Sequence, residues 1–233
     1  MTLSETLAIF RADEALFDLD AAPDSFLKNL RVNLKQYNDQ FDLCIIDTPG
    51  RICMPLKAAM VAADSVLCPL TMGVFEIAAL ADLWKFIQAI KQKGLNTQLR
   101  ILGILPNKIN TKSREELEGL EMLREQFGDA IMPEMLAERA SVKQALSRHR
   151  PVWLGTKGAG HRTAGLEWKS VCTTILVKLG SIAFDLERCK VGIIANIARF
   201  VVAEAFSPLY QCKYLFTLAS KQKRLNGATV QWG

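Results

Sequence analysis

The feature that most constrains the fold is an apolar run, Leu43 to Ile46, that stops at Asp47. Four apolar residues without alternation are typical of a strand buried on both faces, as in a parallel sheet covered by helices. Asp47 is then expected at the carboxyl end of that strand, where open α/β sheets bind their ligands. Residues 48–50, Thr-Pro-Gly, turn the chain away and leave the carboxylate facing a crevice. The run therefore predicts a ligand site at this edge, and an acid that only caps a turn is the alternative.

Strand-like and helix-like segments alternate along the chain after this run. Short apolar runs at 66–70 and 100–105 predict two more buried strands. Helical spacing, capping and stop signals predict helices at 56–63, 74–93, 114–127, 141–147 and 166–179. Strands joined by helices of this length form crossover units, so we expect an α/β fold with a doubly wound, mostly parallel sheet and flanking helices.

The remaining segments carry weaker signals. Residues 1–40 are predicted to be helix-rich, and residues 155–165 form a glycine-rich basic loop. An apolar stretch over 185–206 favours a helix, and a buried strand at 191–196 is the alternative. Residues 209–233 are basic and acid-free, which is typical of a loosely ordered tail.

Cysteine and histidine usage gives little support for metal or nucleophile chemistry. The six cysteines form no C-x-x-C pair, so reduced thiols in a reducing compartment are expected. Only two histidines, His149 and His161, are present. No apolar run reaches membrane-spanning length, and the first five residues lack a signal-peptide pattern. We therefore expect a cytoplasmic protein with no membrane partner.

The net charge of +5 is unevenly distributed. Residues 1–50 carry nine acids and four bases, whereas residues 139–162 carry six bases and no acid. The six are Arg139, Lys143, Arg148, Arg150, Lys157 and Arg162. Such a cluster predicts a polyanion partner, with these six residues as candidates for DNA contact. A basic surface that is only solvated is the alternative.

Five stretches occur in an order that resembles the ParA/MinD group of P-loop ATPases, and ParA-type partition proteins most closely. They are Phe-Asp-Leu-Cys-Ile-Ile-Asp-Thr-Pro at 41–49, Ala-Ala-Asp-Ser-Val-Leu-Cys-Pro-Leu at 62–70, Phe-Glu-Ile-Ala-Ala-Leu at 75–80, Ile-Leu-Gly-Ile-Leu-Pro-Asn-Lys at 101–108 and Met-Pro-Glu-Met-Leu at 132–136. The resemblance covers residues 1–179 and leaves residues 180–233 as an unmatched C-terminal extension, predicted to be a helix followed by the basic tail.

The resemblance implies ATP and Mg²⁺ as cofactors. Asp47 matches the acid that lies near the magnesium ion, and Thr48 and Pro49 line the turn beside it. Asn107 matches the residue that contacts adenine.

The same resemblance places Pro133 and Glu134 in the loop that closes the base pocket. It also implies three partners: DNA bound without sequence preference, a ParB-like protein that stimulates hydrolysis, and a second copy or an intact ParA homologue as dimer partner. A cytoplasmic, nucleoid-associated protein is the implied location.

One departure from the family is an absence. The sequence contains neither a G-x-x-x-x-G-K-[ST] loop nor the lysine-bearing glycine-rich variant of this family. The resemblance therefore implies an incomplete sheet whose first strands, normally central, and their phosphate loop are missing. Backbone amides and a lysine in that loop stabilise phosphate charge, so we expect that this chain neither binds ATP tightly nor hydrolyses it.

Three functions remain open at this point. The chain is a ParA-like partition protein in truncated form, a non-catalytic module that binds DNA or an intact homologue, or a decayed fragment without activity.

Overall fold

The computed structural model describes residues 2–4, 7–11, 19–41, 43–48, 50–154, 158–180, 184–185, 190–191, 198–203 and 215–219. The strands are β1 Thr2–Ser4, β2 Leu7–Arg11, β3 Leu43–Thr48, β4 Ser65–Leu70, β5 Arg100–Ile109, β6 Leu136–Ala137, β7 Phe184–Asp185, β8 Lys190–Val191, β9 Ala198–Ala203 and β10 Leu215–Ala219. The α-helices are α1 Asn29–Lys35, α2 Met54–Ala62, α3 Val74–Gln92, α4 Arg114–Phe127, α5 Ala140–Ser147 and α6 Ala159–Lys178. Short 3₁₀ turns at Asp24–Lys28 and Gly128–Ala130 precede α1 and follow α4.

Eight of these strands form one sheet in the order β1-β2-β10-β3-β9-β4-β5-β6. Five neighbouring strands pair in parallel, in the order β3-β9-β4-β5-β6. The strand β10 pairs antiparallel with both β2 and β3. The α/β fold class, with a mostly parallel sheet and flanking helices, is therefore confirmed. The strand β3 is an interior member of that sheet, as the apolar run before Asp47 predicted.

Apolar clusters cover both faces of the sheet. The larger cluster joins helices α1 to α4 to the sheet and includes Ile46, Met60 and Ile87, which are fully buried. The second cluster packs Leu67 and other strand residues against Val171 of α6 and its neighbours. Helices on both faces give the doubly wound arrangement that a buried parallel sheet requires.

The described cysteines Cys44, Cys53, Cys68 and Cys172 are free thiols. Burial raises the pKa of the Cys68 thiol to about 12, so this thiol stays protonated and unreactive in the folded protein. Among the described residues, no helix combines the length and the apolar character needed to cross a bilayer.

A β-bulge in β5 connects the sheet to the last helix. Val66 pairs with Ile101 and Leu67 pairs with Gly103, so Leu102 is the extra residue. The Leu102 carbonyl accepts a hydrogen bond of 2.8 Å from Lys178 Nζ of α6. The end of α6 is thereby fixed to β5, the strand next to the edge strand β6.

Two predictions for the chain ends are corrected by the structure. The helix predicted over 185–206 is wrong at Ala198–Ala203, which form β9 between β3 and β4. Parallel pairing on both sides satisfies the backbone of this segment, and strand-forming residues such as Phe200, Val201 and Val202 suit that position. The helix-rich lead-in is also wrong for β1 and β2, which pair antiparallel, whereas α1 confirms its later part.

The predicted glycine-rich loop at 155–165 is helical from Ala159 onward. Packing overrides the low helix propensity of glycine at this point, because Ala164 is fully buried. A Cβ on Gly165 would lie 3.3 Å from Trp153 Cα, so the absent side chain lets α6 approach the preceding segment closely.

Candidate functional site

Asp47 lies at the carboxyl end of β3, on the side of the sheet where the parallel strands end. Asp47 is exposed, while Thr48 is 6% exposed and turned into the structure. In the parallel register, Asp47 pairs with Val202 and Thr48 with Ala203 of β9. The structure therefore places the carboxylate at the carboxyl end of an interior strand, the position at which open α/β sheets bind ligands.

The turn after β3 is held by an acid that sequence reasoning did not select. Asp20 forms an ion pair with Arg51, and its second oxygen accepts a hydrogen bond of 3.2 Å from the Met54 backbone N–H. This bond satisfies one of the free amides at the start of α2. A contact across 34 residues leaves no local pattern in the sequence. Pro49, the predicted neighbour of Asp47 in this turn, lies outside the described residues.

Asn107 lies at the carboxyl end of β5 and is half-buried, and its backbone pairs with Leu136 of β6. The next residue, Lys108, has a φ of 55°, a left-handed conformation that is uncommon for residues other than glycine. Asp47 and Asn107 are three strand steps apart, about 14 Å at ordinary strand spacing. They face the same edge of the sheet without touching.

Pro133 and Glu134 lie in the loop before β6. Pro133 is exposed, and its carbonyl accepts a hydrogen bond of 3.2 Å from the Arg124 guanidinium. The Thr174 hydroxyl of α6 donates to one oxygen of Glu134, and the other oxygen is buried with no hydrogen-bond partner among the described residues. Glu134 therefore attaches the loop to α6, a contact that sequence reasoning also missed.

These residues fit only part of an ATP–Mg²⁺ complex. An exposed carboxylate at a strand end suits the water shell of a magnesium ion. The strand beside it, β9, is followed in the sequence by Glu204-Ala205-Phe206, an acid and two side-chain-bearing residues instead of a glycine-rich loop with a lysine. Among the described residues, this strand end therefore offers no matching donors for the phosphate part of the nucleotide.

Two of the six predicted DNA contacts are engaged in ion pairs within the chain. Arg139 forms a bidentate ion pair with Glu167, donating from Nε to Oε2 at 2.8 Å and from Nη2 to Oε1, and the hydrogen bond raises the pKa of Arg139. Lys143 lies 2.6 Å from Glu138. The hydrogen bond and charge of Lys143, with a smaller contribution from Lys108, lower the pKa of Glu138.

Arg148 and Arg150 are exposed and flank the end of α5. His149 between them has a φ of 52°, and its N–H donates to Leu146 O at 3.0 Å. The Arg150 N–H donates to Ala145 O at 3.1 Å. Together these two bonds form the left-handed C-cap known as the Schellman motif, which fixes where both arginines leave the helix.

Arg162, also exposed, lies in the first turn of α6. The Ser141 hydroxyl donates to Gly160 O at 3.2 Å, so this turn adjoins the start of α5. The structure therefore brings Arg162 to one end of α5 and the arginine pair to the other, about 12 Å apart along the helix. Lys157 lies outside the described residues.

Comparison with known proteins finds a matching family model and several similar proteins. A family model described as an AAA domain matches residues 4–101. Protein IncC of Escherichia coli is 28% identical over 176 residues, 75% of this chain and 48% of IncC. The chain thus spans about half the length of that relative. The maintenance of carboxysome distribution protein A of Synechococcus elongatus is 30% identical over 192 residues, 76% of this chain and 70% of that protein.

The sporulation initiation inhibitor protein Soj of Bacillus subtilis is 25% identical over 125 residues, 54% of this chain and 49% of Soj. Among solved structures, a Cyanothece McdA variant in complex with ATP matches with a TM-score of 0.62 and 22% identity, covering 75% of this chain and 66% of McdA. At that identity the structural match supports the fold alone.

Proposed function

Because this chain belongs to the ParA/MinD-type family of P-loop ATPases, we propose that it acts in DNA partition by binding DNA without sequence preference. One observation carries this proposal. Arg148 and Arg150 are exposed, fixed by the cap of α5, and lie in a stretch of sequence, residues 139–162, that contains no acid. Exposed arginines at fixed positions suit phosphate oxygens, and such contacts are indifferent to base sequence.

The surface around these arginines supports a ranking of the six basic candidates. Arg148, Arg150 and Arg162 are exposed, and no ion pair to them occurs among the described residues. Arg139 and Lys143 are each paired with a glutamate, which offsets their charge. The proposal therefore assigns most of the DNA affinity to the first three, and Lys157 stays a sequence prediction.

We further propose that this chain alone neither binds ATP tightly nor hydrolyses it. The central place beside β3 is taken by β9, and the sequence after Ala203 offers no glycine-rich cradle. Asp47 and Asn107 cannot replace it, because oriented backbone amides and a lysine supply most of the stabilisation of phosphate charge.

The same observation favours a second candidate, a non-catalytic modulator that pairs with an intact homologue. In that case nucleotide binding and stimulation by a ParB-like partner belong to the homologue, and the α5–α6 surface of this chain contributes DNA affinity. A second copy of this chain is the other dimer partner that the family implies.

The test is a gel shift with a random-sequence duplex, with and without MgATP. Arg148→Glu with Arg150→Glu should abolish retention, since two phosphate contacts are lost and two negative charges face the DNA backbone. MgATP should change retention by the unmodified chain very little.

The matched control is Lys93→Glu with Lys112→Glu, which reverses two exposed lysines elsewhere and changes the net charge equally. It should retain most of the binding. Equal losses in the two double variants would reduce the DNA contact to a general charge effect. Retention that requires MgATP would contradict the proposal that this chain does not bind ATP tightly, and would leave the DNA proposal standing. If the unmodified chain is not retained at all, the result favours a decayed fragment without activity.

A further inference from the structure

A hollow of about 390 Å³ opens between α5 and the start of the segment that leads to α6. Its walls are apolar side chains of α5 and the two indole rings of Trp153 and Trp168. Leu146 at its edge is 69% exposed, so the hollow is an open groove. Such an apolar surface on a helix that is otherwise polar is unfavourable in water unless a ligand covers it.

The charge around this groove is of one sign. Arg150 and His149 are the polar residues that line it, and none of its lining residues is acidic. Arg148 is exposed one residue before His149. The neighbouring acid, Glu167, is engaged by Arg139. A ligand for this groove therefore needs apolar groups to fill it and negative charge at its margin.

We propose that this groove binds an acidic amphipathic helix of a partner protein. Leucine-like side chains at i, i+3 and i+4 enter the apolar hollow, and glutamates beside them meet Arg148 and Arg150. The site goes beyond the proposed DNA binding and does not depend on it, although Arg148 and Arg150 belong to both surfaces. A bound helix and a DNA duplex would compete for these two side chains.

The lining favours a helix over a nucleobase. Trp153 and Trp168 are only partly exposed and pack on the cluster of Ala145, Val152 and Ala164, so each ring has limited area for stacking on a base. The remaining apolar wall is aliphatic, which suits leucine side chains and offers no hydrogen-bond partner for a base edge.

The test uses a fluorescein-labelled synthetic peptide of about 16 residues, four helical turns, with leucines on one face and glutamates on the other. Its binding to the unmodified chain is measured by anisotropy without DNA or nucleotide. Leu146→Glu should weaken binding at least about tenfold, because one apolar anchor is lost and an acid faces the acidic peptide. The matched control is Leu166→Glu on α6, where the leucine is also 69% exposed but does not line this groove, and it should change binding less than twofold.

Several results would overturn the proposal. They are a peptide that does not bind saturably, equal losses in the two leucine variants, and equal binding of a peptide in which lysines replace the glutamates. If the Leu146→Glu variant loses binding to a labelled oligothymidine but keeps binding to the peptide, the groove belongs to single-stranded DNA. A drop in the solution mass of the protein alone on Leu146→Glu would assign it to a second copy.

Discussion

The sheet core and the α5–α6 unit of this protein are held together in different ways. The α5–α6 unit consists of the helices α5 and α6 and the described residues that flank and connect them. The core, built from α2, β4, α3 and β5, packs many fully buried side chains around a parallel pair of strands. Its buried amide, Asn96, donates to two backbone carbonyls. In the α5–α6 unit, the buried apolar cluster consists, among the described residues, of Ala145, Val152 and Ala164.

The α5–α6 unit compensates for its small cluster with polar links at its margin. Arg139 binds Glu167, the Ser141 hydroxyl donates to Gly160 O, and a left-handed cap ends α5. The core therefore stabilises the fold, whereas the α5–α6 unit leaves cationic and apolar surface available to ligands. Substitutions that loosen one region and spare the other test this division.

Asn96→Ala tests the core and should have the largest effect. Asn96 is 4% exposed and donates to Met60 O at 2.8 Å and to Ala63 O at 2.7 Å, which closes the C-terminal end of α2. Removing the amide leaves two buried carbonyls without a donor and should cost about 2–3 kcal/mol. Urea unfolding followed by circular dichroism measures this loss.

The matched control is Gln98→Ala, an exposed amide two residues further along the same loop. It should leave the unfolding midpoint unchanged. If both variants lose the same stability, the loop as a whole is sensitive and the two Asn96 bonds are not the cause.

Arg139→Met tests the α5–α6 unit and should have an intermediate effect. The side chains of Arg139 and Glu167 are 27% and 23% exposed, so the pair is partly shielded from water. Losing its charged hydrogen bonds should cost about 1–2 kcal/mol, less than the value for a fully buried pair. Native-state hydrogen exchange should show faster exchange in α5 and unchanged exchange in β4.

Lys143→Met is the control for that experiment. Its ion pair with Glu138 has side chains that are 73% and 48% exposed, so water already screens it. No measurable change in exchange is expected. Faster exchange in β4 on Arg139→Met would show instead that the core and the α5–α6 unit unfold together.

Most of the fold was predictable from local pattern. The run before Asp47 gave an interior strand, and Ser113 caps α4 by accepting a hydrogen bond from Glu116 N–H, as its sequence signature predicts. What failed depends on distant partners. The strand character of Ala198–Ala203 comes from its two neighbours in the sheet, and helical structure from Ala159 comes from packing around Gly165.

The position of the candidate site was predictable from the sequence. The contacts that its charged side chains make within the chain were less predictable. Asp47 and Asn107 lie at the expected edge because strand ends are visible in the sequence. The partners of Glu134 and Arg139 lie 40 and 28 residues away and give no local signal. Whether a charged side chain is available to a ligand therefore depends on contacts that no short motif records.

His149→Gly should have the smallest effect and should strengthen the α5–α6 unit alone. A φ of 52° is unfavourable for a residue with a Cβ, so glycine relieves strain at the cap. The greater freedom of glycine in the unfolded chain offsets part of this gain, which leaves about 0.5 kcal/mol of stabilisation. Hydrogen exchange at the end of α5 should slow and exchange in β4 should not change. DNA retention should stay within twofold because Arg148 and Arg150 remain.

His149→Val is the opposing control, since a β-branched residue at this φ should destabilise the cap. If glycine instead destabilises α5, the imidazole contributes a contact that outweighs the backbone strain.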